Sequence, residues 1–360
     1  MRPDATTCQS LRGLAIRAML LALFATGLVP TGPALAARPG EGEIVAPAPR
    51  PAIRPPRPGA PSNAVALAER LKRIGAVKSW GYQLNGLNLE AAAASPYDLL
   101  IVDATTGLAS GRPFEAAEVE RLKRKPDGSR RLVVSYLSIG EAEDYRPEYF
   151  SPEYMSEDAP DWLMHENPQW KGNRIIRFCN EGWQLTILGD ERGRSVYNSI
   201  DPSPLFRLIE LGFDGVYLDR VDVYKEVAKE CGEAERRMVD FVSRLARHAR
   251  RKEPHFLVIM QNAEELARQA KLIEAIDAVA KEDLFYGADH SERQNEAGMV
   301  RTVLDNLRRI KAANRPVFVV DYLKDRTKID DAKRRILDAG FVPYIAPRAL
   351  DRLWLPGRDF

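Results

Sequence analysis

The chain is poor in the residues that most directly announce a chemistry. Its four histidines (His165, His248, His255 and His290) show no HExxH or HxxxH spacing, which argues against a zinc hydrolase or a metal-dependent deacetylase. Its three cysteines form no CxxC pair and no Cys/His metal cluster. There is no Gly-x-Ser-x-Gly elbow and no Walker A loop. The turn Gln83-Leu-Asn-Gly-Leu-Asn88, after the first expected strand, is not a dinucleotide-binding GxGxxG. Charge of one sign is missing too: 53 basic against 51 acidic residues leave a net +2, which argues against a dedicated nucleic-acid binder. No cofactor and no metal is expected. Any chemistry must come from side chains of ordinary type.

What is present begins with an export signal. Arg12 and Arg17 precede the apolar run 18–29, and Ala34-Leu35-Ala36 follows helix breakers. Basic region, short apolar region and small-residue cleavage site stand in the order of a secretory signal peptide. The apolar run is well short of the roughly 20 residues a spanning helix needs. Cleavage near Ala36 is therefore expected, giving a secreted or periplasmic protein with no membrane attachment. Residues 37–62 are Pro-rich without apolar period and read as an extended spacer. The folded domain is expected over 63–360. Cys8 leaves with the signal, while Cys179 and Cys231 remain. An oxidising compartment permits them to pair, and two reduced buried thiols fit the sequence equally well.

From Asn63 onward, strand-like runs alternate with amphipathic helical stretches. Strands are expected at 79–84, 99–103, 132–137, 174–178, 216–218, 256–260, 278–281 and 317–320, with 341–345 as a possible ninth. Runs apolar on both faces, each followed by a helix, indicate a parallel sheet covered by helices. Eight such units in one domain suggest an α/β fold of the (β/α)8 barrel type, with one extra strand at most.

The most informative stretch is Gly212-Phe-Asp-Gly-Val-Tyr-Leu-Asp219. Val216, Tyr217 and Leu218 are β-formers entered through a Gly-rich turn, and a carboxylate follows at once. A charge where a buried strand ends is costly unless it is paired or used. The same arrangement recurs. Asp103 closes the second strand, Tyr136, Ser138 and Glu141 stand near the exit of the third, and Gln261 and Asn262 close the sixth. Glu282 closes the seventh, and Asp321 with Tyr322 closes the eighth. Strand starts such as Arg131, His255 and Arg315 carry no such set. In a barrel those ends converge on one mouth, which would be an acidic pocket.

Two carboxylates on a shared pocket suffice for glycoside hydrolysis without a metal: one protonates the leaving oxygen, and the other attacks or activates water. Asp219 and Glu282 are the expected catalytic pair. The plain alternative for either is a structural cap or ion-pair partner. Asp103 and Asp321 are expected to orient other groups or bind substrate hydroxyls, and Asp222 either contributes to the site or caps the next helix. The segment 141–173 carries Tyr145, Tyr149, Phe150, Tyr154, Trp162 and Trp170. These rings either wall a saccharide groove or bury one another.

Several of these pieces resemble glycoside hydrolase family 114. They are Trp80-Gly-Tyr-Gln-Leu84, Tyr97-Asp-Leu-Leu-Ile-Val-Asp103, Tyr136-Leu-Ser-Ile-Gly-Glu-Ala-Glu143, Gly212 to Asp219, Gln261-Asn262 and Glu282-Asp-Leu-Phe-Tyr286. The likeness runs over about residues 76 to 352, in matching order. It implies a (β/α)8 barrel, endo-cleavage of α-1,4-linked galactosamine polymers, Asp219 and Glu282 as the acidic pair, and Tyr82 and Tyr286 beside substrate. A polysaccharide is thus the implied partner. The chain departs from the family at Lys171-Gly-Asn173, where members often have Pro-Gly-Asn, and at Met260-Gln-Asn262, where they often have Pro-Gln-Asn. Both lie near the implied groove and bear on subsite preference. A non-catalytic carbohydrate-binding barrel, or a hydrolase of another polysaccharide, is the alternative.

Overall fold

The computed structural model describes residues 63–106, 112–146, 159–195, 202–355 and 357–359. The expected signal segment, the Pro-rich spacer and the rings of Tyr149, Phe150 and Tyr154 lie outside the described residues.

The fold opens with helix α1 (Asn63–Gly75), followed by strands β1 (Trp80–Gln83), β2 (Leu99–Val102) and β3 (Leu132–Ser138). Then β4 (Glu141–Glu143), β5 (Leu163–Glu166) and β6 (Asn173–Ile176) form a separate antiparallel sheet in the order β4-β6-β5. The barrel resumes with β7 (Gly215–Asp219), β8 (Leu257–Gln261), β9 (Ala278–Glu282), β10 (Val317–Tyr322) and β11 (Val342–Ala346). Its eight strands run in the order β1-β2-β3-β7-β8-β9-β10-β11, and every pairing is parallel. Helices between strands cover the outside. The longest, α6 (Ala234–Lys252), buries Met238, Val242, Leu245 and Ala249 at helical spacing and ends in Arg250, Arg251 and Lys252, which suits the negative end of its dipole. The helix α5 (Pro204–Glu210) starts on a proline and stops at Gly212, whose φ of 85° only glycine adopts freely. The chain then turns straight into β7. This is a (β/α)8 barrel.

Two expectations need correction. The run 174–178 is no barrel strand, because β6 pairs antiparallel with β4 and β5, and the supposed ninth strand is the eighth. Short β-forming runs do not reveal which sheet they join, so the strand count was right and one member wrong. Asp219 therefore ends the fourth barrel strand, and Glu282 the sixth.

The second correction concerns the strand starts, which do carry acids: Asp98 precedes β2, Asp214 precedes β7 and Asp277 precedes β9. Each stitches two strands by accepting a backbone N–H of the neighbouring strand's start: Asp98 from Ser79 at 3.2 Å, Asp214 from Val133 at 2.9 Å, Asp277 from Val258 at 2.8 Å. Each is also neutralised. Lys125 lies 3.0 Å from Asp98; Arg73 and Lys123 lie 2.6 and 3.2 Å from Asp214; Arg70 and Arg250 lie 3.0 and 2.7 Å from Asp277. Through Arg70 and Arg73, α1 is bound to the base of the barrel.

The seam differs from the other strand junctions. β1 and β11 meet through side chains: the Trp80 indole N–H donates to the Val342 carbonyl at 3.1 Å, and the Tyr344 hydroxyl to the Tyr82 carbonyl at 3.3 Å. Cys179, beyond β6, is bonded to Cys231, beyond β7, with Cα atoms 5.7 Å apart. The staple ties the small sheet to the loop that follows Asp219.

Candidate active site

Side chains alternate faces along a strand, and residues opposite each other on adjacent strands share a face. Tyr136 stands opposite Tyr217, and Ser138 opposite Asp219. Asp219 and Glu282 lie on β7 and β9, with β8 between them, so their strands are roughly 10 Å apart. Both carboxylates act on the same buried rings. Burial pushes the Tyr82 hydroxyl well above its ordinary range, and Tyr217, Glu282 and Asp219 push it further. Burial raises Tyr217 likewise, followed by Glu282 and Asp219. The Tyr82 and Tyr217 rings pack with centroids 5.2 Å apart, forming a floor beneath the two acids.

Asp219 accepts from the Tyr136 hydroxyl at 2.7 Å and from the Arg220 backbone N–H at 2.7 Å. Its carboxyl is nevertheless pushed up to about 7, first by burial and then by the charge of Glu282; Asp222 adds to this, while Tyr136 and Arg220 oppose it. Glu282 accepts from the Asn262 amide at 3.1 Å and from the Tyr322 hydroxyl. Asn262 is itself held, its oxygen accepting from Lys281 Nζ at 3.1 Å and from the Glu282 N–H at 3.2 Å. The residues just beyond these strands, Arg220, Asn262 and Asp283, have φ of 57°, 54° and 51°. Such left-handed turns are uncommon outside glycine and collect at functional sites.

The other expected site residues divide. Gln261 is buried at the end of β8, between the two acidic strands. Ser138 is buried and accepts the Glu141 N–H at 3.2 Å. Glu141 organises the small sheet: it accepts from Asn167 at 2.7 Å and Asn173 at 2.8 Å and pairs with Arg220 at 2.7 Å. Gly140, just before it, has room for no side chain, because a Cβ there would lie 2.2 Å from the Arg220 carbonyl. Asp103 is occupied by Arg146, which holds both its oxygens and also pairs with Glu143, so it orients that arginine. Asp222 is half-buried and 3.7 Å from Arg220, inside the short helix Val221–Lys225, whose N-cap position is held by Arg220.

Two expected residues fall away from the mouth. Asp321 has the opposite parity to Tyr322, whose hydroxyl reaches Glu282. It is fully buried and accepts the N–H groups of Leu284 and Phe285 at 2.6 and 3.2 Å. It therefore holds the loop after β9 rather than facing substrate. Tyr286 donates to Asp331 at 2.8 Å and packs beside α9 (Arg326–Asp338), with Thr327, Lys328 and Arg335 lining the same surface hollow. Of the rings in the long segment, Trp162 is buried against Trp183 at 5.0 Å, whereas Trp170 is half exposed. Sequence reasoning missed Tyr217, Arg146 and Arg220. For Tyr217 a signal existed, since it lies two residues before Asp219 and must share its face.

Among the described residues, no group of three or more His, Cys, Asp or Glu could hold a metal ion, and no helix is long and apolar enough to cross a membrane. A (β/α)8 barrel with acids gathered at its C-terminal mouth has the parts that glycoside hydrolysis requires. The sequence model of glycoside hydrolase family GH114 matches residues 60–356, and the chain belongs to that family. A protein of Deinococcus radiodurans is 34% identical over 285 residues, spanning 78% of this chain and 84% of its own. One from Methanocaldococcus jannaschii is 31% identical over 295 residues, spanning 77% and 79%. Among solved structures, the glycoside hydrolase domain of PelA from Pseudomonas aeruginosa superposes with a TM-score of 0.57 at 20% identity, covering 77% of this chain and 97% of that one. At that identity the likeness speaks for the fold.

Proposed function

We propose that this glycoside hydrolase is exported and cuts within chains of α-1,4-linked galactosamine or N-acetylgalactosamine, with Asp219 and Glu282 as its carboxylate pair. The observation that carries the reading is the placement of these acids. They end strands on either side of β8, act on the same two buried tyrosines, and are met by tyrosine hydroxyls and amides. Burial and the charge of Glu282 push the Asp219 carboxyl up to about 7, which suits it to hold a proton near neutral pH beside a second carboxylate. A de-acetylated galactosamine polymer is cationic, and an acidic mouth complements it. Trp170 stands half exposed on a turn that Asn167 and Asn173 pin to Glu141, where it offers an apolar face to a sugar ring. The Cys179–Cys231 bridge and the signal-like N-terminus support export.

Incubating the protein with partly de-acetylated α-1,4-galactosaminan tests the reading. New reducing ends together with a rapid fall in chain length are expected. Binding without release, unchanged in Asp219→Asn and Glu282→Gln, would sink the hydrolase reading for this polymer and leave a binding barrel. A substrate with a good leaving group separates the two roles, because it restores activity selectively to the variant that lacks the proton donor.

A further inference from the structure

Four tyrosines gather around the carboxylate pair, and their hydroxyls are not used alike. Tyr136 donates to Asp219, and Tyr322 donates to Glu282. Tyr217 is fully buried, and its hydroxyl has no hydrogen-bond partner. A phenylalanine would fill the same space and pack as well on Tyr82, yet the chain keeps a buried donor unspent. Unsatisfied buried polar groups are rare and costly, so each calls for an explanation in structure or chemistry.

Its position supplies one. Tyr217 lies on β7 two residues before Asp219 and on the same face, and it stands opposite Tyr136, the existing donor to that carboxylate. We infer that Tyr217 is a positioning residue for the carboxylate pair, its hydroxyl turning toward the acids to donate when both are ionised. This rests on the proposed catalytic role of Asp219 and Glu282. In the cycle the proton given to the leaving oxygen is replaced by one from water, so two free charges arise only as pH rises past the point at which Asp219 ionises, about 7. In that state two negative charges lie at strand ends on either side of β8, and their standing donors are already engaged: Tyr136 and the Arg220 N–H on Asp219, Tyr322 and Asn262 on Glu282. The charged and titratable groups facing Asp219 and Tyr217 are Glu282, Asp222, Arg220, Tyr136, Tyr82 and Tyr322. Of these, Arg220 is drawn off by Glu141 and Glu226. A further O–H donor is what the doubly charged state lacks, and Tyr217 holds one there.

Tyr217→Phe keeps the ring and tests the hydroxyl alone. A donor to the ionised pair lowers the pKa at which its last proton leaves, so its removal raises that pKa. The alkaline limb of the kcat profile on the galactosamine polymer is expected to move up by about half to one pH unit, with kcat at its optimum falling less than about tenfold. An unmoved limb in an active enzyme overturns the inference. Thermal unfolding gives a readout that needs no turnover. Tyr217→Phe should lower Tm, relative to the parent, by more at pH 8 than at pH 5, because Asp219, pushed up to about 7, gives up its proton between those values. An equal change at both pH values overturns the inference even if the parent enzyme cuts no polymer, an outcome that would by itself count against the proposed function.

Discussion

The two ends of this barrel use the same side chain for opposite purposes. At the base, Asp98, Asp214 and Asp277 each meet a lysine or arginine and a backbone N–H. Burial pushes the Asp98 carboxyl up, but Lys125 and the Lys78 N–H outweigh it and leave the group below its ordinary range. At the mouth, Asp219 faces Glu282 and tyrosines, and its carboxyl is pushed up to about 7. A base acid is a stitch, each one paired with a cation. Asp219 at the mouth is pushed toward the edge of ionisation, which costs stability and, under the proposed function, suits it to proton transfer. Cation supply, rather than acid count, separates structure from chemistry here.

The sharpest way to break this contrast is to neutralise one acid at each end. Asp219→Asn or Glu282→Gln should cut polymer cleavage by on the order of 10³-fold or more while the protein stays folded, as judged by circular dichroism and reducing-end release. Asp277→Asn should do the reverse. It strands Arg70 and Arg250 beside a neutral group, which should cost about 3–5 kcal/mol in denaturant unfolding while activity per folded molecule is unchanged. If Asp277→Asn abolished activity in folded protein, or Asp219→Asn proved as destabilising as Asp277→Asn, the division between the ends would fail.

A third test lies on the mouth side but concerns stability. The Cys179–Cys231 bridge closes a loop with a sequence separation of 52, so reduction should cost about 2–4 kcal/mol, read as a lower Tm in dithiothreitol. The smallest effect is a gain. Asp219 has a folded pKa near 7, above the ordinary unfolded value, so the stability its protonated form provides is fully present below about 4 and is lost as pH rises through 7. The full shift corresponds to about 4 kcal/mol, and the carboxylate's partial exposure reduces this. Asp219→Asn should therefore be near neutral at pH 4 and more stable than the parent by about 1–2 kcal/mol at pH 8. A variant that is less stable at pH 8 would contradict this.

Much of this was legible in the chain itself. The alternation of strands and helices pointed to the barrel, and the strand-end rule led to Asp219, Glu282, Gln261 and Asn262. Two failures have different causes. Asp321 was read as a mouth residue because it ends a strand, although the period of two puts it and Tyr322 on opposite faces. The base acids were passed over because residues just before a strand carry no propensity signal, and their partners Arg70, Arg73 and Arg250 come from helices distant in sequence. Residues 174–178 have β-forming character without any mark of their sheet, so the small antiparallel sheet and the Glu141–Arg220 bridge emerge only in three dimensions. Tyr217 was hidden in plain alternation, since a strand tyrosine reads as core until its hydroxyl is seen to lack a partner.

The seam between β1 and β11 makes the barrel a closed shape with a linear weave. Seven junctions are ladders of amide bonds, while the eighth hangs on an indole and a phenol. Fluctuations should thus unbutton the wall at this one place, and deuterium should enter the first and last strands ahead of those bearing Asp219 and Glu282. The proposed pair, Asp219 and Glu282, lies on interior strands of that weave, away from the cylinder's natural opening, where breathing disturbs it least.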